Sequence, residues 1–139
     1  MSDLQRAIEI AVSAHRGQTR KDGSPYVLHP LRLMMSVNAS DERIVALLHD
    51  VVEDTSITSD DLEREGFSEH VLAALRLLTH DPEVSYEDYI QRLATNQLAR
   101  TVKLADLRDN SNVFELPSIG ERDLRRVEKY HRAFKFLSR

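Results

Sequence analysis

Apolar residues return at helical spacing along nearly the whole chain, and no stretch alternates as a half-buried strand requires. That periodicity confines the chain to an all-α fold, a compact bundle of about seven or eight helices. Leu4, Ala7, Ile8, Ala11 and Val12 form the first stripe, which ends near His15 with Gly17 as its stop. Residues 17–29 hold Gly23 and Pro25, lack an apolar period, and read as a loop. Pro30 suits a first helical position, and Leu31, Leu33, Met34 and Val37 continue a second helix. Ser40, followed by Asp41 and Glu42, reads as the N-cap of a third helix running to about Glu53. Thr58 with Asp61 and Ser85 with Asp88 match capping boxes and open helices near 59–65 and 86–95. Between them, Gly66 is a stop and Ser68 caps a helix through Leu78. Two further helices cover 97–110 and 121–137, separated by Pro117 and Gly120.

The 139 residues show no internal repeat, low-complexity tract or linker, so residues 1–139 read as one domain. There is no cysteine, so disulfides and thiolate metal sites are excluded, and any metal must rest on His, Asp and Glu. A formal net charge of −4 argues against a broad nucleic-acid surface, because phosphate backbones demand clustered Lys and Arg. No apolar run approaches the roughly 20 residues that span a membrane, and no signal peptide opens the chain. The expected location is the cytoplasm.

The chemistry concentrates in His49-Asp50-Val51-Val52-Glu53-Asp54. On a helix turning roughly 100° per residue, His49, Glu53, Asp50 and Asp54 share one side. Ile44, Val45, Leu47, Leu48, Val51 and Val52 fall on the other. Three carboxylates crowding one imidazole repel one another unless a cation or proton stands among them. The arc therefore reads as a metal-centred site rather than a solvated acidic face. Lys103, Asp106 and Asn110 share a face of a later helix at spacings of three and four. The loop at 18–26 carries Arg20 and Lys21, and His29 stands where that loop becomes helical. Taken alone, the helix face reads better as a charged surface and His29 as an ordinary histidine, while the loop serves equally well as a solvated turn.

Together these elements resemble the HD-domain phosphohydrolases, and more narrowly the hydrolase domain of the RelA/SpoT homologues. The resembling stretches are Ala14-His15-Arg16-Gly17-Gln18, Arg20-Lys21 through Tyr26, Leu28-His29-Pro30, Ala46 through Thr55, and Val102-Lys103-Leu104-Ala105-Asp106. The resemblance implies removal of pyrophosphate from the 3′ position of the stringent-response alarmone ppGpp, giving GDP. It implies one divalent metal held by His29, His49, Asp50 and Asp106. Manganese is expected, with iron(II), magnesium and zinc as alternatives. Glu53 and Asp54 would orient and activate water, while Arg20, Lys21, Lys103 and Asn110 would contact the nucleotide. The chain departs from the family pattern between Asp106 and Asn110, where Leu107, Arg108 and Asp109 replace the usual Arg and His. Asp109 adds negative charge near the expected polyphosphate, the segment after Leu78 is short, and no synthetase domain is expected to follow.

Two other readings stay open. One keeps the metal and changes the substrate to another phosphorylated nucleotide, such as a nucleoside phosphate or NADPH. The other is a non-catalytic domain that binds metal and nucleotide, with any protein partner unknown. Among the remaining histidines, His80-Asp81 is followed by Pro82 and reads as a helix end. His15 reads as structural, bonding the loop, and His70 and His131 read as surface residues.

Overall fold

Side-chain caps fix most helix starts where the sequence places them. The computed structural model describes residues 3–139, which form nine α-helical segments, a 3-10 turn and a single isolated β-bridge between Thr19 and Pro25. The helices are α1 (Leu4–Ala14), α2 (Leu28–Ser36), α3 (Ser40–Leu48), α4 (Val51–Asp54) and α5 (Ser59–Arg64). They continue with α6 (Glu69–Leu78), α7 (Tyr86–Leu93), α8 (Gln97–Asn110) and α9 (Glu121–Leu137), the 3-10 turn lying at Val113–Glu115. Thr58 Oγ1 accepts from the Asp61 N–H at 3.1 Å and Asp61 Oδ2 from the Thr58 N–H at 2.9 Å, closing a reciprocal cap. Ser68 and Ser85 accept from the N–H of Val71 and Asp88 as one-way caps, so of the capping box expected at Ser85 and Asp88 only the serine half forms. Gly17 and Gly66 take φ values of 84° and 92°, left-handed conformations that turn the chain out of α1 and α5.

Three boundaries differ from the sequence expectation. The second helix begins at Leu28, because Leu28 N–H and His29 N–H already donate to Pro25 O and Tyr26 O. Pro30 is therefore its third residue, still within the turn whose N–H groups need no intrahelical partner. Ser40 is the first residue of α3 rather than its cap, and its side chain makes no capping bond. Glu42 Oε1 reaches back instead and accepts from the N–H of Ala39 and Asn38 at 3.0 and 3.1 Å.

The third correction bears on the site: the helix expected to run through Glu53 breaks at His49-Asp50, and α4 is a separate turn. His49 Nδ1 lies 2.7 Å from Ala46 O, the carbonyl an unbroken helix would offer to the Asp50 N–H. With the ring on that carbonyl, Asp50 relaxes to φ −102°, ψ −2°, and the ladder restarts with Asp54 N–H on Asp50 O.

From Ile44 onward helix α3 is buried on all sides, not on one face: Ile44, Val45, Ala46, Leu47 and Leu48 are all in the core. It packs against α1, α2, α6 and α8, which makes it the hydrophobic axis of the bundle. Helix α8 lies against α2, α3, α6 and α9. The polar ends of α2, α3 and α8 meet where this core stops. Among the described residues, no helix is long and apolar enough to cross a membrane.

Candidate metal centre and adjoining cavity

Four residues from three separate stretches of the sequence meet at the end of α3. His29 arrives from the first turn of α2, His49 from the C-terminus of α3, Asp50 from the break and Asp106 from α8. His29, His49 and Asp106 are buried although they are polar. His29 Nε2 lies 2.9 Å from Asp106 Oδ1 and 3.9 Å from Asp50 Oδ2. His49 Nε2 lies 2.9 Å from Asp50 Oδ2 and 3.3 Å from Asp106 Oδ1. Ligand atoms of His29, His49 and Asp50 all fall within 4.8 Å of one another.

This arrangement fits a divalent cation. Neighbouring donors around a six-coordinate ion with bonds of about 2.1 Å stand about 3 Å apart, close to these spacings. His49 Nε2 is also buried without a hydrogen-bond partner, despite its proximity to two carboxylates. A buried ring nitrogen facing two carboxylates must meet positive charge, either its own proton or a cation bound in the proton's place.

The charges around the cluster point the same way. Burial opposes the charged form of the His49 ring, but Asp50 and Asp106 overcome it and hold its pKa well above the ordinary histidine value. Burial likewise opposes the Asp106 carboxylate, yet Lys103 and His49 keep it well below the usual carboxylate range. Asp50 is lowered to about 2, since His49 outweighs the effect of burial. The carboxylates stay ionised and draw positive charge towards them.

Supporting contacts set the orientation of each group. Tyr26 Oη donates to Asp50 Oδ2. Lys103 Nζ donates to Asp106 Oδ2 at 2.8 Å and Asn110 Nδ2 to Asp106 Oδ1 at 3.0 Å, so the polar face expected on α8 is spent on one carboxylate. Arg20 reaches the same network through Asn110 Oδ1 at 3.0 Å. Its other terminal nitrogen is buried without a hydrogen-bond partner, 3.5 Å from Asp109 Oδ2. Lys21, by contrast, is largely exposed and donates to Asp123 of α9 at 3.2 Å. It does not join the cluster.

Glu53 and Asp54 are exposed beside the buried ligands. Partial burial and then the charge of Asp50 raise both carboxyl groups above their ordinary values. Gln18 links this turn to the loop: its Oε1 faces His15 Nδ1 at 2.9 Å, and its Nε2 donates to Asp54 O at 3.0 Å. His15 thus has the loop-bonding role expected of it. His80 follows the end of α6, stacks on Tyr89 at 4.5 Å and hydrogen-bonds Val84 O, while His70 is on the surface.

Several site residues escape a reading of the sequence. Asp109 does not face open space as a free anion: Oδ2 lies 2.6 Å from His29 Nδ1, and Arg32 grips both oxygens at 2.8 and 3.0 Å. A signal was available, because Arg32 lies three residues after His29 and Asp109 three after Asp106, complementary spacings on two helices. Tyr26, Arg126 and Tyr130 are a second omission. With Arg20 and Asn110 they line a cavity of about 320 Å³ directly beside the cluster. Three cations against the two carboxylates of Asp22 and Glu115, with two phenol rings and apolar walls, leave a net positive lining that suits an anionic ligand carrying a flat ring.

No family model matches the chain. The guanosine-3′,5′-bis(diphosphate) 3′-pyrophosphohydrolase of Aquifex aeolicus is 36% identical over 120 residues, covering 78% of this chain and 17% of that protein. The bifunctional (p)ppGpp synthase/hydrolase SpoT of Escherichia coli is 42% identical over 65 residues, 44% of this chain and 9% of that one. The chain thus spans less than a fifth of the length of these curated relatives. A solved metazoan orthologue of SpoT, described as hydrolysing ppGpp, aligns with 100% of this chain and 86% of its own. Its TM-score is 0.82 at 24% identity, a shared fold.

Proposed function

We propose that this chain, an HD-type hydrolase domain of the RelA/SpoT-homologue family, is a metal-dependent phosphohydrolase that converts ppGpp to GDP and pyrophosphate. The observation that carries the reading is the convergence of two imidazole nitrogens and two carboxylates on one point, with His49 Nε2 left unbonded. His29, His49, Asp50 and Asp106 would hold one divalent ion. A mixed nitrogen and oxygen donor set without sulfur suits manganese first, then iron(II), with magnesium and zinc less favoured. When bound, such an ion supplies charge that polarises a phosphoryl oxygen and makes nearby water more acidic.

The remaining chemistry belongs to the chain's own groups. Glu53 and Asp54, raised by partial burial and then by Asp50, orient a water and accept its proton. The water oxygen bonds to the phosphorus carried on the ribose 3′ oxygen, the bond between them breaks, and the 3′ oxygen takes up a proton. Pyrophosphate departs with the water oxygen and GDP remains. Arg20 and Asn110 border the cavity beside this point and would meet phosphate and ribose, with Arg126 and Lys21 on the same cavity wall. Lys103 serves the substrate side through Asp106, whose orientation it fixes. The negative charge that Asp109 was expected to bring to the polyphosphate is balanced by the Arg32 guanidinium, with His29 Nδ1 also on the carboxylate. That removes one argument for a different nucleotide.

Manganese-loaded protein incubated with ppGpp and a panel of nucleoside phosphates and NADPH tests the reading, with phosphate and pyrophosphate measured separately. The expected result is pyrophosphate from ppGpp. Phosphate released from another nucleotide, with no pyrophosphate from ppGpp, would reassign the substrate.

A further inference from the structure

We infer that Asp109 is a positioning residue for the metal centre, its carboxylate pinned by Arg32 so that His29 keeps its proton on Nδ1 and presents Nε2 to the ion. The inference rests on the metal site proposed above and adds a group outside the ligand set. A neutral imidazole carries one N–H, and the nitrogen that binds a metal must be the bare one. His29 Nδ1 stands 2.6 Å from Asp109 Oδ2 and Nε2 stands 2.9 Å from Asp106 Oδ1; both carboxylates only accept, so once a cation takes Nε2 the one N–H that remains belongs on Nδ1. The opposite nitrogen, Nε2, is the one that lies among Asp106 and Asp50.

The carboxylate itself is held in place. Arg32 Nε donates to Oδ1 at 2.8 Å and its terminal nitrogen to Oδ2 at 3.0 Å, a two-point clamp that fixes the plane of the group. The second terminal nitrogen of Arg20 adds charge at 3.5 Å. The geometry follows from helix spacing. His29 and Arg32 are one turn apart on α2, Asp106 and Asp109 one turn apart on α8, and the two faces meet. One face of α2 thus delivers a ligand and the clamp, and one face of α8 a second ligand and the orienting carboxylate.

The two imidazoles are consequently unequal. His49 is oriented by a neutral carbonyl, Ala46 O, whereas His29 is oriented by a charged carboxylate. An anionic partner makes the ring a stronger donor to a cation than a carbonyl partner does.

The test measures manganese binding alone, by chelator competition and without substrate, in wild type, Asp109→Asn, Asp109→Ala and Arg32→Met. Removing the carboxylate with Ala is expected to weaken binding by about 10–100-fold. Asn, which still accepts a hydrogen bond but carries no charge, should give a smaller loss, and Met at position 32 a smaller one again. In zinc-loaded protein labelled with nitrogen-15 histidine, the His29 Nδ1–H signal should be protected from water in wild type and exchange rapidly in Asp109→Ala. If Asp109→Ala does not fold, Asp109→Asn carries both measurements. Wild type that binds manganese while Asp109→Ala and Asp109→Asn bind within twofold of it, with His29 unchanged, overturns the role of Asp109 alone. A drop in melting temperature without a drop in affinity overturns it too. Wild type that binds no metal overturns the metal site and this role with it.

Discussion

At His49 one ring ends a helix and faces the metal centre, and both follow from its two nitrogens. Nδ1 takes Ala46 O, while Nε2 is left buried among carboxylates. Because burial is outweighed by Asp50 and Asp106, the metal-free ring keeps a proton at neutral pH. A cation must displace that proton, so binding releases it. Below the raised pKa each fall of one pH unit should weaken metal binding by up to about tenfold, and above it the dependence should flatten. Calorimetry in buffers of different ionisation enthalpy at pH 7 reads the released proton directly; none released would contradict this electrostatic picture. Substitutions separate the two carboxylate roles. His49→Ala and Asp106→Ala should lose metal, while Glu53→Gln and Asp54→Asn should keep it and lose about 10²–10⁴-fold in turnover. Metal analysis of the purified variants beside their rates checks the division, and unchanged turnover at positions 53 and 54 would remove those residues from the chemistry.

Among the elements, α3 determines whether the site exists, because it is the buried axis that carries His49 outward. Leu47 is fully buried there, and Leu47→Ala should cost about 2–5 kcal/mol in denaturant unfolding, with metal affinity falling alongside. How well each element could be read from sequence depends on what ends it. Helices α8 and α9 have the expected bounds of 97–110 and 121–137, since Pro117, Gly120 and the apolar stripes act locally. The break between α3 and α4 was not legible: no proline or glycine marks it, and its cause is an imidazole competing for a carbonyl. The start of α2 was missed for a similar reason, as the turn at Pro25 and Tyr26 begins the helix two residues before Pro30. Sequence spacing brought out His49, Asp50 and the polar face of α8. It could not show that Asp109 turns to His29 and Arg32, because that depends on how α2 meets α8.

For the whole molecule, folding and metal binding are linked. The ligands come from α2, the end of α3 and α8, so only the folded bundle brings them together. An ion that binds this state alone stabilises it by about 2.7 kcal/mol at a free concentration 100 times its dissociation constant. The melting temperature should therefore rise with manganese and fall back on chelation, and His49→Ala should abolish the response. A melting temperature indifferent to manganese in wild type would argue that the donors do not act as one site. Metal-dependent attack of water on the 3′ diphosphate is read by incubating manganese-loaded protein with ppGpp in oxygen-18 water. Equal amounts of GDP and pyrophosphate are expected, with the label in pyrophosphate and turnover abolished by chelation. Metal-loaded protein that leaves ppGpp intact, or places the label in released monophosphate, would contradict it.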